Sequence, residues 1–202
     1  PLSPPTADPE MVRQAAEMLA QAKLPLIYAG GGALRAGASQ EVLRLAEFLG
    51  CPATTSVTAR GAVPEDDPHS LISIGFGGLA ARNQADVVLV LGCRLGAFDM
   101  WAKPPVWGQP GQQKIIQVDT APETLAENRE TDLAILGDAR TTVRDIRIAL
   151  EGMAEPRSEN PALAQYRAAQ AGWLQNFENL AKSDGAAIHP LRVVKEAATF
   201  FP

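Results

Sequence analysis

Cysteine and histidine each occur only twice in the 202 residues, and aromatic residues make up only 5%. Cys51, Cys93, His69 and His189 are too few and too scattered to build a zinc site. The two cysteines sit beside strand-like segments and read as small buried hydrophobes; a reducing cytoplasm is the default compartment. There is no basic run, and the net charge of −5 argues against a nucleic-acid partner. The longest apolar runs are about six residues, too short for a membrane span. No signal peptide is visible, and the opening Pro1-Leu2-Ser3-Pro4-Pro5 lacks an initiator Met, which points to an excised fragment. Hydrolytic signatures are missing as well: there is no G-x-S-x-G and no carboxylate pair at a fixed spacing.

What is present is an ordinary globular composition, 46% hydrophobic and 20% charged, in a chain long enough for one sizeable core. Short β-branched runs alternate with helical patterns. A helix is expected over 9–22, with Asp8 as N-cap and Pro9 at its first position, and another over 37–49, stopped by Gly50. Strands are expected at 24–29, 51–57, 71–74, 85–92, 114–118 and 133–136. A brief helix ends at Gln84, a short one covers 120–129, and a third covers 139–151. The nearly unbroken apolar run of 85–92 implies burial on both faces, as in a parallel sheet.

This order predicts an α/β fold: a doubly wound six-stranded parallel sheet, Rossmann-like and of the DHS-like NAD/FAD-binding type, with a C-terminal helical extension. Residues 1–152 form the nucleotide-binding-like domain. Residues 153–202 form a polar linker (155–160), a long helix (161–181) and the start of a truncated following domain. The stripe Tyr166, Trp173, Phe177 and Leu180 on that helix is expected to pack against something, such as a domain not in this chain.

A sheet of this kind binds ligands at the C-terminal ends of its strands. The residues expected there are Gly30, Gly31 and Gly32 after the first strand, and Ser56, Val57 and Thr58 after the second. Gly75 follows the third, Arg94 the fourth, Asp119 the fifth, and Gly137 and Asp138 the sixth. Glycines and small hydroxyls suit a pyrophosphate, an arginine suits its charge, and a carboxylate can accept from ribose hydroxyls. Each also has a plainer reading: glycine as a turn, Arg94 as a surface ion pair, Asp119 and Asp138 as helix caps. The strict G-x-G-x-x-G spacing is absent, and the second strand ends in Thr55-Ser56-Val57 rather than an acid. Both facts argue against a plain NAD dehydrogenase. The loop 96–112 carries Trp101 and Trp107, either as a hydrophobic plug or subunit contact or as a stacking surface for a ring system.

Several of these stretches together resemble the central domain of thiamine diphosphate-dependent enzymes, in the acetolactate (acetohydroxyacid) synthase-like branch. They are Pro25 to Ala33, Cys51-Pro52 through Asp66, Ala85 to Arg94, Ile116 to Asp119, and Gly137-Asp138. His189-Pro190-Leu191-Arg192 resembles the segment leading into that family's diphosphate-binding domain. The resemblance implies a three-domain parent, a dimer or tetramer, that makes or breaks C–C bonds in 2-keto acids with thiamine diphosphate and Mg²⁺. The catalytic glutamate and both cofactor-binding domains lie elsewhere, so this chain alone is expected to be inert. In synthase-like members the central domain holds FAD; others carry ADP or nothing. By position, the glycine triplet, Ser56–Thr58, Gly75, Arg94, Asp119, Gly137 and Asp138 fall at FAD-contact positions.

The pattern also departs from the family. G-M-H-G appears as Gly75-Phe76-Gly77-Gly78, and the following segment to Asp86 is shorter by about one helical turn. G-x-R-F-D-D-R appears as Gly92 to Phe98, without either acid or the second arginine, and Asp67 stands where His is frequent. Losing one charged partner of a phosphate costs on the order of 1.5–3 kcal/mol. Two alternatives stay open: a structural or oligomerisation module with a vestigial nucleotide edge, and an NAD-binding oxidoreductase domain.

Overall fold

The computed structural model describes residues 3–185 and 187–200. The outermost residues of the expected 1–152 and 153–202 units, and Ala186, lie outside the described residues. The first half runs α1 (Pro9–Gln21), β1 (Pro25–Ala29), α2 (Gly31–Arg35), α3 (Ser39–Leu49), β2 (Ala53–Thr55), β3 (Ser70–Leu71), α4 (Phe76–Gln84) and β4 (Val87–Leu91). It continues with β5 (Lys114–Asp119), β6 (Leu133–Leu136), α5 (Ala139–Glu151), α6 (Pro161–Ala181) and α7 (Pro190–Ala198).

The six strands form one sheet in the order β3-β2-β1-β4-β5-β6, and every pairing is parallel. The order reverses between β1 and β4, which places the switch-point crevice of a doubly wound sheet above Gly30 and Gly92. Alternation along the strands divides the core. Ile27, Ala29, Leu89, Leu91, Ile116 and Val118 face the layer made by α1, α3 and α5. Leu26, Tyr28, Val88, Val90 and Ile115 face the other side, with Leu163, Tyr166 and Trp107.

That second side explains a difference from expectation. The connections from β4 to β5 and from β5 to β6 carry only 3₁₀ turns, at Ala97–Ala102 and Pro122–Thr124. The short helix expected over 120–129 is therefore reduced to one turn, with Ala126 in the left-handed region at φ 59°. Gln117 holds that turn open by donating to Thr124 O and accepting from Ala126 N–H. α4 alone cannot cover this face of the sheet, and α6 completes the layer. Leu163 is fully buried, and the Tyr166 hydroxyl donates to Gln84 Oε1 at 3.0 Å. The first half of the aromatic stripe on α6 thus packs within this chain.

The expected linker is docked rather than loose. Arg157 donates to Ala22 O at 2.7 Å and to Leu19 O at 3.3 Å, capping the end of α1. Gly50 ends α3 at φ 59°, and its missing Cβ leaves room for Ser158 O, which would lie 2.2 Å away. The first four expected strands are shorter than read, the first at Pro25–Ala29 and the fourth at Val87–Leu91. The second is confined to Ala53–Thr55 because a 3₁₀ turn starts at Val57, and the third to Ser70–Leu71. α2 has no counterpart among the expected elements, because the glycine triplet reads as loop. α7 buries none of its side chains, and no described helix is long and apolar enough to cross a membrane.

Candidate functional site

A cleft of about 1130 Å³, part of it open to solvent, lies over the C-terminal edge of the sheet. Gly31, Gly32, Ser56, Val57, Thr58, Arg94 and Asp119 all line it. A second compartment of about 570 Å³ shares Gly32, Arg35, Gly92, Asp119 and Thr120 with the first and adds Gly137 and Asp138. The two form one groove from the end of β2 to the end of β6.

Two of the sequence-selected residues stand apart from it. Gly30 lies beneath the groove: its N–H donates to Leu91 O at 2.8 Å, and an added Cβ would lie 2.3 Å from Gly92 O. Gly75 is the N-cap of α4 and lies under Trp173, whose ring would be 3.3 Å from its Cβ. Gly32 lines the groove but is also interlocked with β4: its N–H donates to Gly92 O at 2.9 Å. Of the triplet, Gly31 alone has an open position. Its N–H has no protein acceptor among the described residues, and its absent side chain would lie 3.6 Å from Arg35 Nη1 and 4.0 Å from Thr58 Oγ1. Ser56 Oγ and Thr58 Oγ1 are 3.2 Å apart, so a hydroxyl pair faces the same space.

The carboxylates hold local turns. Asp138 caps α5 by accepting from Thr141 N–H at 3.0 Å, and Asp119 Oδ1 accepts from Ala121 N–H at 3.0 Å. Each keeps a second oxygen for another donor. Arg94 and Arg35 are both exposed, and neither is in an ion pair among the described residues.

A buried polar cluster fixes the wall that carries Arg94. The Asp99 carboxylate accepts from the Tyr28 hydroxyl and, at 3.4 Å, from Cys93 Sγ. Trp107 is fully buried, stands edge-on to Tyr28 at 5.0 Å, and donates from Nε1 to Asp99 O at 2.8 Å. Trp107 is therefore a plug, whereas Trp101 remains 47% exposed. Burial, then the Asp99 charge, pushes the Tyr28 phenol well above its ordinary range and the Cys93 thiol up to about 12. Both stay neutral at physiological pH. The Arg82 guanidinium lies 5.9 Å from the Tyr28 ring and 5.6 Å from the Trp107 ring and donates to Ser73 O; burial lowers its pKa.

Sequence reasoning missed Arg35, Thr120 and Asp99. Asp99 is the residue directly after the Gly92–Phe98 stretch, so the signal lay one position further along. Gly77, where the resemblance implies a histidine, has a packing reason: a Cβ there would lie 2.2 Å from Tyr166 O. α6 crosses α4 at that point.

The sequence profile of the thiamine pyrophosphate enzyme central domain matches residues 12–146. The chain belongs to this family. It is 33% identical to the probable acetolactate synthase large subunit of Methanocaldococcus jannaschii, over 93% of this chain and 31% of that protein. It is 30% identical to a sulfoacetaldehyde acetyltransferase of Castellaniella defragrans, over 93% of this chain and 35% of that protein. The crystal structure of benzoylformate decarboxylase from Polynucleobacter necessarius shares the fold, with TM-score 0.63 and 21% identity over 80% of this chain and 30% of that one. This central domain thus spans about a third of the length of the curated relatives it matches. The α/β layers are those of the thiamine pyrophosphate enzyme central domain, and this family match displaces the reading as an NAD-binding oxidoreductase domain.

Proposed function

We propose that this chain is the central domain of a larger enzyme that cleaves or forms a C–C bond beside the carbonyl of a 2-keto acid, as an acetolactate synthase-like lyase or transferase. The observation that carries this reading is the family match over 12–146, extended by 33% identity to an acetolactate synthase subunit along 93% of the chain. Thiamine diphosphate supplies the electron sink for the carbanion formed in such chemistry. The residues here do not fit that cofactor or its Mg²⁺. No cluster of three or more His, Cys, Asp or Glu among the described residues could hold a metal ion. Asp138, in Gly137-Asp138-Ala139, caps a helix instead. Pyrimidine- and diphosphate-binding domains elsewhere in the parent chain, in a homodimer or tetramer, complete the enzyme. The free buried thiols Cys51 and Cys93 suit a reducing cytoplasm.

The groove fits a different group, an adenine nucleotide carrying a diphosphate, either FAD or ADP. Gly31 N–H, the Ser56 and Thr58 hydroxyls and Arg94 meet the diphosphate; Asp119, Gly137 and Asp138 lie toward the nucleoside end. Val57 offers apolar contact at the other end, while Gly30 and Gly32 shape the floor. The rival reading, a packing module with a vestigial edge, draws on the backbone locking of Gly30 and Gly32 and on Trp173 over Gly75. The deciding test of the enzyme reading is turnover of pyruvate by the full-length protein with and without thiamine diphosphate and Mg²⁺. Turnover only with both supports it; turnover indifferent to thiamine diphosphate refutes it. The chain on its own is expected to show none.

A further inference from the structure

Two arginines from different elements, Arg35 and Arg94, line the same groove. Arg35 ends α2 and lines both compartments of the groove. Its Nη1 comes within 3.6 Å of where a Gly31 side chain would begin, beside the one triplet N–H that no protein acceptor takes. Arg94 enters the same cleft from the segment after β4.

The segments that carry the two cations are fixed against each other through backbone. Gly30 and Gly32 lock α2 against Gly92 and Cys93: a Cβ on Gly30 would lie 2.4 Å from Cys93 Cβ, and one on Gly32 would lie 2.7 Å from Gly92 Cα. Arg94 follows Cys93 directly, and Cys93 is anchored through Asp99. Two unpaired guanidinium groups of one sign on one cleft have a clear electrostatic use. They match a ligand with two adjacent anionic groups; Asp119 and Asp138 on the same groove make its field mixed, so the match rests on the two guanidinium groups themselves.

We propose that Arg35 and Arg94 form a two-arginine clamp on a diphosphate, with Arg35 a binding residue supplied by α2. This rests on the nucleotide reading of the groove given above. It identifies the diphosphate, rather than the ring, as the part that Arg35 recognises.

The test is calorimetric titration of the full-length protein, and of its Arg35→Ala and Arg94→Ala variants, with ADP, inorganic pyrophosphate and adenosine. Arg35 is exposed and unpaired, so its removal leaves the fold intact; Arg35→Gln with an unchanged melting temperature serves as the second variant. Arg35→Ala and Arg94→Ala are each expected to weaken ADP and pyrophosphate about tenfold or more and to leave adenosine unchanged. If Arg35→Ala leaves ADP affinity unchanged while Arg94→Ala lowers it, the clamp is overturned and the nucleotide reading survives. If Arg35→Ala weakens ADP but not pyrophosphate, Arg35 acts on the nucleoside and the clamp is again overturned. If the unaltered protein takes neither ADP nor, in a parallel titration, FAD, the nucleotide reading itself falls, and the clamp with it.

Discussion

Gly32 and Gly92 meet backbone to backbone at the switch point of the sheet: Gly32 N–H donates to Gly92 O at 2.9 Å, and a Cβ on Gly92 would lie 2.5 Å from Gly32 Cα. Gly92 also sits at φ 59°, where a side chain is strained. Glycine here lets two strand exits interlock. Gly92→Ala should therefore destabilise more than Gly31→Ala, whose nearest neighbour would be 3.6 Å away. We expect a loss of about 2–4 kcal/mol at Gly92, from overpacking plus strain, against under about 1 kcal/mol at Gly31. Urea unfolding of the two variants measures the difference.

α6 completes the second helical layer through Leu163 and Tyr166, so the α/β unit does not end with α5. A chain stopped after Gly152 uncovers Ala81 and Ala85 of α4 and the Leu24–Pro25 start of β1, beside which Leu163 and Tyr166 lie, and should lose cooperative thermal unfolding and bind a hydrophobic dye. A sharp melt at the temperature of the longer chain would show that α6 is dispensable.

Restoring the family's histidine at Gly77 should damage this layer. Any side chain there meets Tyr166 O, which belongs to the helix backbone and cannot swing aside. Gly77→His is expected to cost about 2 kcal/mol or more and to lift α6 from α4. Faster amide hydrogen exchange along α6, with α1 unchanged, is the readout.

Burial pushes the Cys51 and Cys93 thiols up to about 12 from an ordinary 9.0. The unfolded chain therefore loses these protons first. Their contribution is intact below about pH 9 and declines as pH rises from 9 toward 12, with Tyr28 adding to the fall above 10. Melting temperature against pH should drop across that window, and Cys93→Ala should flatten the drop. The native thiols should also resist a disulfide reagent at neutral pH until denaturant is added.

The sheet was legible because its signals are local. The unbroken run 87–91, the capping Asp8 and Asp138, and Gly50 after α3 each act through residues close in sequence. What escaped was set by distant contacts. α2 forms because Gly30 and Gly32 lean on β4, which lies far away in the chain. Arg35 is exposed, carries no motif, and gains meaning only when α2 places it beside Gly31. The helix expected over 120–129 failed because Gln117 holds Thr124 and Ala126 in a turn, a side-chain contact that no periodicity reveals. The histidine missing at Gly77 read as a weakened site, whereas the structure gives it a packing cause.

The central claim is that the groove over β1, β4 and β6 holds a diphosphate nucleotide. The most direct measurement is to purify the full-length protein, denature it, and identify the released small molecules by chromatography, absorption and mass. The account predicts FAD or ADP bound near one per chain, or taken up to that level when added, and held less tightly in Arg94→Ala. A colourless protein that releases no nucleotide and binds neither FAD nor ADP would contradict it.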